Sequence, residues 1–444
     1  MSARVRRFVS FWRDHGTRAA VRLVRAKLGS VVAGPPAHEK SLSYLPASSR
    51  EASGTVQGLA AQRFASTRPI ATFLIPRASL RRVSLVTDSI GSGSLFGGVG
   101  TALLFAAQLA NRLNATLRVV TRTEVASPDN ASLILGAYDI HLLHEMQFAF
   151  APWGGRVDSG GEGGLDIHED EIFVTTSWWT TAATLPGVPH ASIIYLLQED
   201  ERMFYPFGED RFHCEQVMLN KDITFVINTR LLYDHLVHTG MEHLNGSAYC
   251  FEPAFPKSLF HQRAREQGGK KRFFFYARPH NLRNLFYVGL SVIDRAINEG
   301  ILDLEQWDVY LVGKDIPDVV FGDGYVPNRC EGLDWSEYAD LMGTIDVGLS
   351  LMYTPHPSYP PLDLAASGAV VVTNKFANKT DLSQYSSNII CAELELGALV
   401  EAVRDGISLA ENTELRRRNF LANGLGVDWE KSFEETLVAL TASR

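Results

Sequence analysis

The chain has no uninterrupted run of about 18 uncharged apolar residues, so no stretch reads as a membrane-spanning helix. Its amino terminus lacks the continuous apolar core of a secretory signal. Cysteine is scarce: Cys214, Cys250, Cys330 and Cys391 stand far apart, form no metal-type pair, and suit a reducing cytosol. Positive charge is not in excess. The formal net charge of −8 argues against a general nucleic-acid binder. What remains is a globular composition, 45% apolar and 21% charged, in a chain of 444 residues, long enough for two domains of roughly 200 residues.

The most informative stretch is HPSYPPLDLAASGAVVVTN, residues 356–374. Pro360 and Pro361 stand where a helix can begin, because a first-turn residue needs no N–H partner. Residues 362–367 supply about two turns, and Gly368 can end them in a positive-φ conformation. Residues 369–372 form a short apolar run suited to a buried parallel strand. This reading puts Asp363 in the first helical turn, either capping free N–H groups or facing a ligand.

Eight basic residues from Arg4 to Lys27 crowd the first 28 positions against the single acid Asp14. With Val5, Phe8, Trp12, Ala19 and Leu28 between them, the segment fits an anionic membrane surface. It equally fits a basic helix on the protein's own acidic surface, or a free arm. Residues 30–69, rich in Ala, Ser, Pro and Gly, read as a linker. A strand over 82–87, a glycine loop over 88–100, a helix over 101–113 and a strand over 116–120 make a β/α start. Gly91, Gly93, Gly97, Gly98 and Gly100 either let a substrate approach backbone N–H groups or serve tight packing. The dinucleotide fingerprint is not met, since Phe96 takes the place of its third glycine and no acid closes the second strand.

Further strands are expected over 171–175, 191–197 and 223–227. After the second of these comes Glu199-Asp200-Glu201, where α/β proteins bind ligands. These acids either hold sugar hydroxyls between walls of Trp178, Trp179, Phe204 and Tyr205, or form a solvated turn. Weak periodicity over 246–271 marks a domain boundary. Beyond it come strands over 272–276, 307–312 and 346–351, with Arg278 and Arg283 in and beyond the first strand-to-helix loop. Arginines beside helix N–H groups suit a diphosphate, with ordinary surface ion pairs as the competing account. The expected organisation is α/β: a basic segment and linker over 1–69, Rossmann-like domains over 70–265 and 266–425, and a last helix over 426–444 returning to the first domain.

On the residues at 195–206 (YLLQEDERMFYP), 273–286 (FFFYARPHNLRNLF) and 356–374, the sequence resembles GT-B glycosyltransferases of the family-4 kind. Within that group it is most similar to bacterial WsaF-type rhamnosyltransferases, over most of 80–390. The resemblance implies two Rossmann-like domains facing across a cleft, with a nucleotide-sugar donor on the second and an acceptor entering against the first. It implies donor contacts from Gly97, Gly98, Arg278, Arg283, His356, Tyr359, Pro361 and Asp363, and acceptor contacts from Trp178, Glu199, Asp200 and Tyr205. Arg278, Arg283 and Asp200 are the implied catalytic residues. Asp363 replaces the family's usual glutamate and reaches one methylene less far; the motif's first glutamate is absent, with His356 and Tyr359 in that loop.

The implied reaction is transfer of L-rhamnose from dTDP-L-rhamnose, with retention, to a glycan or lipid-linked oligosaccharide in bacterial surface polysaccharide synthesis. It needs no metal and no cofactor beyond the donor substrate. The expected location is the cytoplasm, at the inner membrane face if the basic segment engages it, with no nucleic-acid partner. A non-catalytic glycan- or nucleotide-binding protein is the alternative.

Overall fold

The computed structural model describes residues 54–76, 80–91, 97–153, 164–264, 268–322 and 324–442. The basic segment over 1–28, and Gly93 and Phe96 of the glycine loop, lie outside them. By its contacts the chain divides after Arg63. Of the first unit, Val56–Arg63 is a helix with no buried residue.

The second unit carries fifteen strands among the described residues. In chain order these are β1 (Thr72–Leu74), β2 (Arg82–Thr87), β3 (Thr116–Thr121), β4 (Gln147–Phe150), β5 (Leu165–Ile167), β6 (Ile172–Thr175), β7 (Ile193–Leu197), β8 (Thr224–Asn228) and β9 (Tyr249–Phe251). Then follow β10 (Lys271–Ala277), β11 (Trp307–Gly313), β12 (Asn328–Glu331), β13 (Val347–Leu349), β14 (Val370–Asn374) and β15 (Ile389–Ala392). The first large sheet runs β4-β3-β2-β6-β7-β8-β9 and the second β12-β11-β10-β13-β14-β15. Every pairing in both is parallel. β1 and β5 form a small parallel pair of their own.

The reason lies in the strand sequences. β2, β3, β7 and β14 are buried at every position and, Arg82 and Arg118 apart, carry only apolar or short polar residues, as strands must when helices cover both sheet faces. The helix Gly98–Arg112 buries ten of its residues against the first sheet, including Leu103, Phe105 and Leu109. At the opposite, N-terminal end of that sheet, Arg82 and Arg118 share the fully buried Glu171 at 2.8 and 2.6 Å, and both also reach Asp166. That network is satisfied internally and ties β5 to β2, β3 and β6.

The chain crosses between domains twice, and the two crossings touch: the Phe255 N–H donates to the Gly426 carbonyl at 2.6 Å. The helix Trp429–Ala442 then packs on the first domain, with the Phe433 ring 5.3 Å from Phe105 and 4.9 Å from Phe251. Among the described residues, no helix is long and apolar enough to cross a membrane.

One local expectation is corrected. The helix expected to open at Pro360 and Pro361, with Asp363 in its first turn, begins at Tyr359 and runs to Ala366, because Ser358 turns the chain with φ 72°. Both prolines fit its first turn, where no N–H partner is needed. Asp363 is therefore the fifth helical residue and caps nothing.

Candidate active site

Parallel sheets put all their strand-to-helix loops at one edge, and ligands bind where the strand order reverses. In the first sheet that point is between β2 and β6, and in the second between β10 and β13. A cleft of about 590 Å³ lies there, lined from the first domain by Gly97, Gly98, Thr101 and Glu199 and from the second by Arg278, Arg283, Lys314, His356 and Asp363.

On the second domain, Gly313 ends β11 so close to β10 that any side chain would strike the Ala277 carbonyl, 1.8 Å from where its Cβ would lie. The residues just beyond, Arg278 and Lys314, are both exposed on the cleft. Arg278 has only a long contact to the Tyr276 hydroxyl, at 3.3 Å, and Lys314 has no side-chain partner among the described residues. Arg283 is more enclosed. It donates to Glu199 of the first domain at 3.0 Å and lies 4.1 Å over the Phe204 ring. Burial pushes the Glu199 carboxyl up, while Arg283 and the buried Lys379 pull it back. Lys379 donates to the Met352 carbonyl at 3.0 Å, and burial lowers its ammonium to about 8.

Asp363 lines the cleft floor, 6% exposed, and accepts the Tyr338 hydroxyl at 3.0 Å. Among the described residues no arginine, lysine or histidine pairs with it. Burial therefore dominates and pushes its carboxyl up to about 8, against a smaller opposing pull from Tyr338. Tyr138 and Tyr359 stand near enough for Asp363 to raise their phenols further, after burial. Burial thus favours the neutral form of Asp363, which stands among phenols.

Tyr359 joins the domains. Its hydroxyl is 2.5 Å from Thr101 Oγ1 and accepts from Asn228 Nδ2 at 2.9 Å. Gly97, with φ 73°, turns the chain into the helix that bears Thr101, and Gln198 holds the Gly98 carbonyl at 2.6 Å. Pro361 is buried in its helix and does not line the cleft, whereas Pro360 does.

The acceptor-side expectations divide. Glu199 and Phe204 line the cleft; Asp200, Trp178 and Tyr205 do not. Asp200 is 3% exposed, with the Arg202 guanidinium on both oxygens at 2.8 Å and His235 at 3.3 Å. Burial alone would raise its carboxyl, but these partners hold it down to about 2. Asp200, expected among the catalytic residues, is thus turned from the cleft towards Arg202 and His235. Trp178 belongs to the first-domain core and donates its indole N–H to the Tyr205 hydroxyl at 2.9 Å.

Lys314, Asn284, Tyr338 and Gln198 line the cleft and were passed over by sequence reasoning, as was the buried Lys379 that acts on Glu199. Only Lys314 had a legible signal, since it follows β11 as Arg278 follows β10. Among the described residues, no group of three His, Cys, Asp or Glu side chains is placed to hold a metal ion.

HepE from Anabaena, solved with UDP and glucose, superimposes with a TM-score of 0.55 at 12% identity, covering 82% of this chain and 100% of that one. Sucrose-phosphate synthase from Thermosynechococcus elongatus gives 0.54 at 11%, over 82% and 100%. WaaG, a glycosyltransferase involved in lipopolysaccharide biosynthesis, gives 0.54 at 11%, over 81% and 99%. The architecture is GT-B, two facing Rossmann-like domains. Models of the WsaF N-terminal and C-terminal domains match residues 82–230 and 271–404, and the chain belongs to the WsaF family. The O-antigen biosynthesis protein RfbC of Myxococcus xanthus is 31% identical over 272 residues, 59% of this chain. The match takes in 20% of RfbC, so the chain spans about a fifth of that relative's length.

Proposed function

We propose that the protein is a glycosyltransferase that moves a sugar from a nucleoside diphosphate donor on its second domain to a hydroxyl of a glycan acceptor entering against its first. The observation that carries this is the convergence of Arg278, Arg283 and Lys314 on one edge of the second domain, opposite Glu199. Breaking the bond from the anomeric carbon to the phosphate leaves the electron pair on the diphosphate, and fixed cations stabilise that charge most in the transition state. The acceptor oxygen bonds to the anomeric carbon, and its proton passes to a donor phosphate oxygen. Attack from the leaving-group face retains configuration and needs no protein nucleophile. Glu199, already at the cleft, orients the acceptor hydroxyl in place of Asp200.

The donor we propose is dTDP-L-rhamnose, from the resemblance to WsaF-type rhamnosyltransferases. The acceptor is a growing surface polysaccharide, a reading supported by the similarity to RfbC. The basic segment over 4–27 would bring the enzyme to an anionic membrane bearing a lipid-linked acceptor. Deleting residues 2–28 should reduce sedimentation with anionic vesicles and spare transfer to a soluble acceptor. Equal sedimentation would remove the membrane from the proposal.

A screen of nucleotide sugars against acceptor oligosaccharides, followed by NMR of the product, tests the reaction. Acceptor-dependent, stoichiometric release of nucleoside diphosphate marks a transferase. Tight donor binding without release with any acceptor would leave a binding protein instead.

A further inference from the structure

Lys379 is a lysine with no exposed surface, 0% by area. It closes a tight turn over 376–379, where its N–H and carbonyl both pair with Phe376, at 2.8 and 3.0 Å. An ammonium has three N–H groups to place. One goes to the Met352 carbonyl at 3.0 Å, and among the described residues no carboxylate pairs with it directly.

That single hydrogen bond does not account for the charge. Asn374 Nδ2 already donates to the same carbonyl at 3.0 Å, and Asn374 Oδ1 accepts the Met352 N–H at 2.7 Å. The loop is therefore fixed without the lysine. An apolar side chain of the same length would fill the space and avoid the cost of burying a cation. A charge kept at that cost answers to an anion.

Two groups act on Lys379 and draw its ammonium back up after burial has lowered it, Glu199 and Cys391. Burial pushes the Cys391 thiol up to about 11, so that group is not an anion near neutral pH. Glu199 remains. It faces Lys379 across the cleft, beyond ion-pair distance, and Arg283 holds it directly at 3.0 Å. Of its neighbours in sequence, Asp200 is taken by Arg202, and Glu201 accepts the Trp178 N–H with its carboxyl pushed up to about 8 by burial. His356 is lowered to about 3 by burial, with Lys379 and Arg283 adding to the effect. Lys379 and Arg283 are thus the two cations that act on Glu199.

In the empty cleft Arg283 serves Glu199 by itself. On the proposed function that guanidinium turns to the diphosphate, and Glu199 loses its direct partner while its side chain is only 14% exposed. A carboxylate so enclosed takes up a proton unless another cation keeps it charged. Once protonated, it is a weaker acceptor for the hydroxyl it has to orient.

We propose that Lys379 is a positioning residue that acts through Glu199, keeping it an ionised acceptor for the incoming hydroxyl after the donor diphosphate has drawn Arg283 away. The proposal rests on the glycosyltransferase reading. To the three cations that line the cleft it adds a fourth, buried behind them, that touches neither substrate.

Calorimetry of the full chain with dTDP at pH 6.5, repeated in buffers of different ionisation enthalpy, counts the protons taken up on binding. UDP replaces dTDP if it binds more tightly. Lys379→Met keeps the length of the side chain and drops its charge. This variant should take up about 0.3–1 proton more per nucleotide than wild type, as an enclosed carboxyl deprived of both cations does near that pH. Adding Glu199→Gln should abolish the excess; the proton of the phosphate itself is common to every variant and cancels. In turnover with an acceptor found by the nucleotide-sugar screen, the acid limb of kcat should move up by about one pH unit or more in Lys379→Met. Activity should return as pH rises, and Tm should not fall. Equal proton counts in wild type and Lys379→Met, an excess that survives Glu199→Gln, or a loss of kcat that is the same at every pH would overturn the assignment. If wild type binds neither dTDP nor UDP, or transfers to no acceptor, the glycosyltransferase reading falls and takes Lys379 with it.

Discussion

Arg283 reaches across the cleft to Glu199 at 3.0 Å with its guanidinium stacked 4.1 Å over Phe204, so one cation of the second domain is shared with the first before any substrate arrives. On the proposed function, a diphosphate entering beside Arg278 and Lys314 would compete with Glu199 for that guanidinium. Donor binding and the freedom of an acceptor-side carboxylate would thereby be coupled.

Replacing Arg278 or Arg283 by alanine should lower turnover roughly 10- to 1000-fold, the scale of losing a transition-state donor. Calorimetry should show weaker nucleoside diphosphate binding with nucleoside binding little changed. Two variants that bind and turn over like wild type would place the diphosphate elsewhere.

Glu199→Gln should act in the opposite sense on binding. Without the carboxylate charge, Arg283 is free for phosphate, and nucleoside diphosphate should bind several-fold more tightly while turnover falls. Weaker diphosphate binding in this variant would show that Glu199 positions Arg283 rather than competing for it.

Asp363 gives a pH test. Its carboxyl ionises near 3.8 in the unfolded chain and near 8 when folded, so between these values the unfolded state has released a proton that the folded state keeps. Its contribution to stability is therefore greatest in acid and declines as pH rises from about 4 to about 8. Asp363→Asn mimics the neutral acid and removes that decline. Its Tm, relative to wild type, should climb between about pH 5 and pH 8.5, and donor affinity at neutral pH should stay close to wild type. Parallel Tm profiles, or lost donor affinity at neutral pH, would mean the group works as a carboxylate.

Asp200→Ala should leave the buried Arg202 with only Thr239 and, at 3.8 Å, Glu215, and cost about 3–5 kcal/mol of stability. The turnover of the protein that remains folded should be nearly unchanged. A large fall in kcat without a fall in Tm would return Asp200 to the chemistry.

The two sheets were legible because parallel strands buried on both faces must read as short apolar runs, as FFFYA at 273–277 and VVVT at 370–373 do. Arg278 and Arg283 were legible as polar residues in and beyond the loop that ends such a run, and His356 only through the family resemblance. Less was visible where conformation turns on one residue: a left-handed Ser358 starts the Tyr359 helix early, and serine rarely announces a positive φ. Glu199, Asp200 and Glu201 read as one acidic cluster, yet a turn of 3-10 helix sends them apart. Glu199 goes to Arg283, Asp200 to Arg202 and His235, and Glu201 to the Trp178 N–H. Asn284 and Tyr338 gain their roles only from partners far along the chain, Leu351 and Asp363.

The helix Trp429–Ala442 has a consequence for how the chain is made. Phe433 and Leu437 complete a core whose other walls, Phe105 and Phe251, are synthesised long before them. At typical translation rates the interval from residue 251 to residue 429 lasts on the order of 10–40 s. For that time the first domain carries an open apolar groove on the ribosome while the entire second sheet is being produced. The order of synthesis therefore makes the first domain the last to finish, and a chaperone that covers Phe105 and Phe251 has a defined interval in which to act.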